Sequence, residues 1–381
     1  MKRFTALVLA LTMIAAVGCG GAKSGGSGSG TIKIGVIAPM TGDVKTFGDS
    51  TKHGFELAIE QAGKKAGNIA IETIIGDDRN DPTEGVNIAT KFITQDGVKA
   101  IVGSVSSKVS IPIGEVANAN KVLMITGTST NTKVTVDEKG NVKPYVFRAC
   151  FIDPFQGAVG AKFALNNLKV KSAAILYDKG NDYTVGLSEE FKKNFEKGGG
   201  KVVAMETYGK DDTDFSAVLT KVAAAKPDFL YLPDYYNKVS LIAKQAKSKG
   251  LNVPMMGGDG WDSGDLDFAT LDGQYFTNHY SDKDTRPEVK KFVDAYKAKY
   301  GAVPDALAAL AYDATTLLIE AIKKANSNDP AQIQKAMASL KDVTTVSGKV
   351  SFDKFNNPVK SAAILKVKAD KTYEFVTTVA P

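Results

Sequence analysis

Two hydroxyl clusters and one carboxylate hold most of the chemistry that this sequence offers. The first cluster is Ser104, Ser106, Ser107 and Ser110; the second is Thr126, Thr128, Ser129 and Thr130. Each follows a short β-branched apolar run, Ala100 to Val102 and Val122 to Ile125, of the kind that forms a buried parallel strand. Parallel sheets bind ligands beyond the carboxyl ends of their strands, where the next helix opens with free N–H groups. Ser107 and Thr130 stand at two such ends, with Ser110 placed to cap a helix and Pro112 in its first turn. Hydroxyls combined with backbone donors suit a carboxylate or another small anion. A lone Ser or Thr caps a helix as readily as it binds a ligand, but two clusters on successive strands favour a site.

The carboxylate is Asp259, in Met255-Met256-Gly257-Gly258-Asp259-Gly260-Trp261. Flanking glycines let other groups approach closely, and the same pattern also serves a turn in which Asp tolerates an unusual φ. Tyr183 and Tyr235 follow other apolar runs in this half of the chain. An aromatic wall, one carboxylate and a facing hydroxyl cluster describe a pocket for a small zwitterion.

Catalytic groups are scarce. Neither histidine, His53 or His279, neighbours a Ser or Cys in nucleophile-elbow context, and both read as structural or surface residues. Cys150 reads as a small buried hydrophobe. Gly26, Gly28 and Gly30 have no strand before them and no helix after, which excludes a dinucleotide loop, and no P-loop is present. The run from Asp77 to Pro82 lacks the sixth-position Gly and twelfth-position Glu of a calcium loop and reads as a turn, with Asp81 capping the next helix. No catalytic residue, metal or cofactor is expected. The formal charge of +6 includes Lys2 and Arg3 and has no arginine-rich run behind it, so no nucleic-acid partner is expected either.

The elements that must position these groups begin after a leader. Lys2 and Arg3, the apolar run from Phe4 to Val17 and Gly18 before Cys19 resemble a bacterial lipoprotein signal, with residues 1–18 removed and lipid on the Cys19 thiol; secretion without lipid is the alternative. Residues 19–30 form a flexible Gly/Ser tether. Ala306 to Ile322 carries Asp313 and Glu320 and reads as a core helix rather than a membrane span. From Thr31, strand-like runs alternate with amphipathic helical ones, the βαβ rhythm. The chain leaves a first lobe near Asp153-Pro154 and repeats the rhythm in a second series from Ser172 to Thr277. Helices over Glu288 to Tyr300, Asp305 to Ala325 and Ala331 to Leu340 follow, then strands at Gly348 to Phe352, Ala362 to Val367 and Tyr373 to Val379. A chain of 381 residues is large for one core, so two α/β lobes with a cleft between their strand ends are expected.

Over nearly the whole body the sequence resembles the periplasmic solute-binding proteins of ABC transporters for branched-chain amino acids, the leucine/isoleucine/valine type. The likeness rests on Ile32-Lys33-Ile34-Gly35, Ile101 to Pro112, Met124-Ile125-Thr126 with Thr130, Phe147-Arg148 with Asp153 and Gln156-Gly157, Asp178-Lys179, and Gly257 to Gly260. It implies a type I fold of two doubly wound lobes joined by a hinge of crossing strands, residues 31–148 with 279–352 in one and 149–278 with 353–381 in the other. It implies that Ser107 and Thr130 hold a ligand carboxylate and that a backbone carbonyl near Thr128 assists the ammonium. Asp259, where Glu is common, would pair with that ammonium; Tyr183 and Tyr235 would face the ligand, and Phe47 would line its side-chain pocket. The disulfide of some members is absent, and Trp261 is expected to reshape the pocket. The function implied is capture of an aliphatic amino acid by a monomer, without catalysis, for delivery to an ABC permease. The site would lie in the periplasm or on the outer face of the cytoplasmic membrane. An amide, a short carboxylate, an aromatic acid and a sensing role are the alternatives.

Overall fold

The computed structural model describes residues 30–381, so the leader, Cys19 and the tether through residue 29 lie outside it. The first part of the chain runs β1 (Gly30–Ala38), α1 (Lys45–Gln61), β2 (Lys65–Ala66), β3 (Ile69–Asp77), α2 (Pro82–Thr94), β4 (Ala100–Gly103), α3 (Ser107–Ala119), β5 (Leu123–Thr126) and β6 (Val146–Arg148). The second series is α4 (Asp153–Asn166), β7 (Ser172–Asp178), α5 (Asp182–Lys197), β8 (Lys201–Tyr208), α6 (Ser216–Ala224), β9 (Leu230–Tyr231), α7 (Tyr236–Ser248), β10 (Met255–Gly257) and β11 (Tyr275–Asn278). Three helices follow, α8 (Pro287–Tyr300), α9 (Ala306–Ala325) and α10 (Pro330–Ala338), and then β12 (Val343–Thr345), β13 (Gly348–Val350), β14 (Ala362–Lys368) and β15 (Thr372–Val379).

The strands form two large sheets, ordered β2-β3-β1-β4-β5-β6 and β15-β14-β11-β10-β9-β7-β8. In the first sheet β3, β1, β4, β5 and β6 are parallel. Every residue of β4, β5 and β6 is buried, because helices cover both faces of a parallel sheet and leave no polar side for alternation. In the second sheet β8, β7, β9, β10 and β11 are parallel, and β14 and β15 close it with antiparallel pairs.

The chain passes between the sheets three times, after β6, after β11 and between β13 and β14, and these crossings are stitched together. Lys360 of the third donates to the Ala149 carbonyl of the first (2.9 Å), and the His279 ring of the second stacks on Phe151 of the first with centroids 3.7 Å apart. Helix α9 packs on α1 over the first sheet, and the two backbones touch at Gly54, where a Cβ would lie 2.1 Å from the Ala308 carbonyl oxygen. Asp313 in the middle of α9 is fully buried because the Val346 and Ser347 N–H groups (2.7 and 2.9 Å) and the Ser347 hydroxyl converge on it. Among the described residues no helix is long and apolar enough to cross a membrane.

One local expectation is corrected. Helix α3 opens at Ser107, with Ser106 as the extended N-cap residue, so Pro112 lies inside it and Ser110 turns its hydroxyl to the Ser104 carbonyl (3.0 Å) instead of capping. The chain leaves the first sheet between β6 and α4, and Asp153-Pro154 forms the first turn of α4 just beyond that crossing, because Pro fits a helix start. Asp81 caps α2 as the sequence implied, accepting from the Thr83 and Glu84 N–H groups.

Candidate functional site

The hydroxyl wall is built at the ends of β4 and β5. Four of its eight hydroxyls are committed to its own backbone: Thr126 and Ser110 donate to the Ser104 carbonyl (2.6 and 3.0 Å), and Thr128 and Ser129 to the Val105 carbonyl (both 2.9 Å). From below, the turn before α2 braces it, with Ser104 donating to Asp78 and Ser106 to Asn80 Oδ1 (2.6 Å). Burial pushes the Asp78 carboxyl up to about 6. The Ser107 hydroxyl accepts from the Asn131 N–H (3.2 Å) and stands at the first turn of α3.

The facing wall comes from the second sheet. Asp259 follows β10 and is 7% exposed. Gln156 Nε2 of α4 and the Tyr183 hydroxyl of α5 donate to its Oδ1 (2.8 and 3.0 Å), and His279 Nε2 lies 3.0 Å from its Oδ2. Gln156 also donates to the Thr277 hydroxyl (2.8 Å). Gly258 makes this crowding possible, since a Cβ there would sit 2.3 Å from the Tyr183 hydroxyl and 2.8 Å from Gln156 Nε2. Burial lowers the His279 pKa, opposed by its bond to Asp259, so the imidazole is neutral and donates from Nε2. Burial raises the Tyr183 and Tyr235 hydroxyls well above their ordinary range, so both keep their protons. A carboxylate offers about four lone-pair positions. Three are taken, which leaves one on Oδ2 for a donor arriving through the cleft.

Six of the seven ligand-contact positions expected from sequence meet at one cavity. It is lined by Phe47, Ser107, Thr128, Tyr183, Tyr235 and Asp259, together with Val105, Gly260 and Leu307. Tyr183 and Tyr235 stack in parallel (5.4 Å, 3°), and Phe47 from the first body meets Tyr235 edge-on (5.6 Å, 89°). Thr130 is not in that lining; it is fully buried, and its carbonyl accepts the Asp153 N–H (3.0 Å). Trp261 does not reshape the cavity as expected. It is fully buried behind the loop, donating to the Leu232 carbonyl (3.0 Å), because the core of the second body has the room and Gly257 lets the ring pass.

The cleft is shut. Asn131 Nδ2 donates to the Asp182 carbonyl (2.7 Å), the Tyr236 hydroxyl to the Asp43 carbonyl (3.2 Å), and Thr46 and Ser263 pair at 3.0 Å. The space left is only about 20 Å³, room for about one water, so the walls must part before an amino acid can enter. A larger hollow of about 630 Å³ lies by the crossings, lined by His279, Arg286, Lys360 and Phe375 among others. Two of its cations are already engaged, Arg286 by Asp284 and Glu288 and Lys360 by Ala149 and Ser347, and the residues expected to contact a ligand line the smaller cavity instead.

Sequence reasoning gave no role to Gln156 and read His279 as structural or surface. The signal for His279 was available, since it follows the carboxyl end of β11 just as Ser107 and Asp259 follow β4 and β10. Among the described residues no cluster of His, Cys, Asp or Glu could hold a metal ion. Cys150 is buried, and burial pushes its thiol up to about 12, in line with an inert residue.

Residues 31–372 match the family model described as periplasmic binding protein. A Leu/Ile/Val-binding protein of Rhizobium johnstonii is 35% identical over 327 residues, covering 84% of this chain and 87% of the relative. The crystal structure of the leucine-binding protein LivK from Thermotoga maritima superposes with a TM-score of 0.87 at 37% identity, covering 92% of this chain and 99% of that one. The branched-chain amino acid transporter substrate-binding protein LivJ from Streptococcus pneumoniae, solved with isoleucine, gives 0.85 at 30% identity, covering 92% and 100%. This chain belongs to the periplasmic binding protein family and has its type I α/β fold.

Proposed function

We propose that this protein captures an aliphatic amino acid, with leucine, isoleucine and valine the first candidates, and delivers it to an ABC permease. One observation carries the reading: a single cavity sets the Asp259 carboxylate opposite the Ser107 and Thr128 wall, with Phe47, Tyr183, Tyr235, Val105 and Leu307 between them. The ammonium of the ligand would take the remaining lone pair of Asp259 and its carboxylate would take Ser107 and the first N–H groups of α3, so one zwitterion bridges both bodies. The relatives named above carry the same ligand class in their names. Residues 31–148 with 279–352 would move as one lobe and 149–278 with 353–381 as the other, hinged at the three crossings. Thr130 would act from behind the wall rather than on the ligand. Binding without catalysis, a monomeric state and a lipid on Cys19 that holds the tethered lobes outside the cytoplasmic membrane complete the proposal.

An aromatic acid would also suit the stacked tyrosines, but without an ammonium Asp259 would remain a buried carboxylate with no cation, a costly arrangement. Calorimetric titration of leucine, isoleucine, valine, alanine and benzoate decides between them. Saturable binding of an aliphatic amino acid, with Asp259→Asn at least about 100-fold weaker, is expected. Binding of benzoate alone, or an Asp259→Asn variant as tight as wild type, would overturn the ammonium reading.

A further inference from the structure

One side chain joins the crossings to the carboxylate that lines the ligand cavity. His279 belongs to the second crossing, its ring lies flat on Phe151 of the first (3.7 Å, 26°), and its Nε2 reaches Asp259 Oδ2 at 3.0 Å. The side chain is fully shielded from solvent. Asp259 opens a single 3-10 turn, Asp259–Trp261, and its short carboxylate is held by the side chains that converge on it. Gln156 and Tyr183 both act on Oδ1; His279 alone, among the described residues, holds Oδ2.

We infer that His279 is a positioning residue for the ligand-binding carboxylate: as a neutral donor braced on the hinge, it fixes Asp259 Oδ2 and leaves the full negative charge for the ammonium of an amino acid. The inference rests on the proposed ammonium-binding role of Asp259 and adds a residue to it. A cation in this place would compete with the ligand, whereas a neutral N–H orients the carboxylate without cancelling it. The arrangement also links occupancy to movement, because the ring that touches Asp259 lies on the segment that must flex as the lobes part.

The charged groups that act on His279 are Asp259 after β10, Asp313 on α9 and Lys360 on the third crossing. Acidification that charges the imidazole places a cation against Asp259, so wild-type affinity falls on the acid side, and a variant with a permanently neutral donor loses that fall.

The test is calorimetric titration of leucine into wild type, His279→Gln, His279→Leu, Asp259→Asn and the double variant Asp259→Asn/His279→Leu, with unliganded melts and a pH series. Gln keeps an N–H donor and cannot ionise. His279→Leu is expected to lose roughly 10- to 100-fold in affinity, the scale of one hydrogen bond to a charged group, and His279→Gln to stay within about fivefold of wild type. In the Asp259→Asn background the Leu substitution should cost little more, since the oriented charge is already gone. Wild-type affinity in His279→Leu, or losses that multiply in the double variant, would overturn the inference while leaving Asp259 in its role; wild-type affinity in Asp259→Asn would overturn the role itself. Should His279→Leu not fold, the pH series decides: an acid-side loss that persists unchanged in His279→Gln refutes a titrating His279 beside the ligand.

Discussion

The two walls of the cleft do complementary work by opposite constructions. The hydroxyl wall is local: Ser104 to Ser110 and Thr126 to Thr130 belong to two neighbouring strand ends and bond largely to one another's backbone. The acid wall is assembled across the chain, with Gln156, Tyr183 and His279 converging on Asp259 from 103, 76 and 20 residues away. A local wall is rigid before the lobes meet and can tolerate the loss of one hydroxyl. An assembled wall concentrates its chemistry in one charge, and losing that charge empties the arrangement of its purpose.

The widest break in this comparison should come from Asp259→Ala. Removing one side of a desolvated charge pair costs about 3–5 kcal/mol, so amino-acid affinity should fall by roughly two to nearly four orders of magnitude in calorimetry. The unliganded melting temperature should fall as well, because Gln156, Tyr183 and His279 lose their buried acceptor, so the affinity loss is read at temperatures where the variant stays folded. On the hydroxyl wall Ser107→Ala should cost about 10-fold, since the N–H groups of α3 still face the carboxylate. Equal losses at the two positions would erase the distinction between the walls.

Behind both walls, Asp153 offers a test that reads stability. Its oxygens meet no donor at hydrogen-bond geometry although the Thr130 hydroxyl lies close enough to favour the charged form, and burial dominates, pushing the carboxyl up to about 8. The folded state therefore holds a proton that the unfolded chain has released above its ordinary value near 3.8. Its contribution to stability is full below that value and is lost progressively as pH rises toward about 8. Asp153→Asn removes that loss, so melts at pH 5 and pH 8.5 should differ less in the variant than in wild type, and an unchanged difference would assign the slope to other groups.

Smallest of all should be Tyr235→Phe. Its ring closes the cavity between Tyr183 and Phe47, while its buried hydroxyl makes no hydrogen bond. Affinity within about threefold of wild type is expected, against roughly 10-fold or more for Tyr235→Ala, which opens the wall.

What could be read from sequence divides along the same line as the walls. The apolar runs at Ala100 and Val122 could only be buried strands, and their hydroxyl-rich ends followed at once, so the first wall was visible residue by residue. The repeated βαβ rhythm gave both sheets and nearly every helix, because short-range periodicity and parallel pairing obey local rules. The same local logic placed Asp259, Tyr183 and Tyr235 at strand ends or the helix starts that follow them. It could not say that Gln156 and His279 would close on Asp259, that Trp261 would turn into the core instead of the cavity, or that Thr130 would be buried behind the lining. Those outcomes depend on how one body packs and how the crossings are threaded, where contacts join residues distant in the chain and no periodicity marks the partner. Sequence alone determined that this chain would raise a row of hydroxyls and a solitary carboxylate at strand ends. Only the tertiary structure decided that they would face each other across a shut cleft, with His279 from a crossing bonded to the carboxylate.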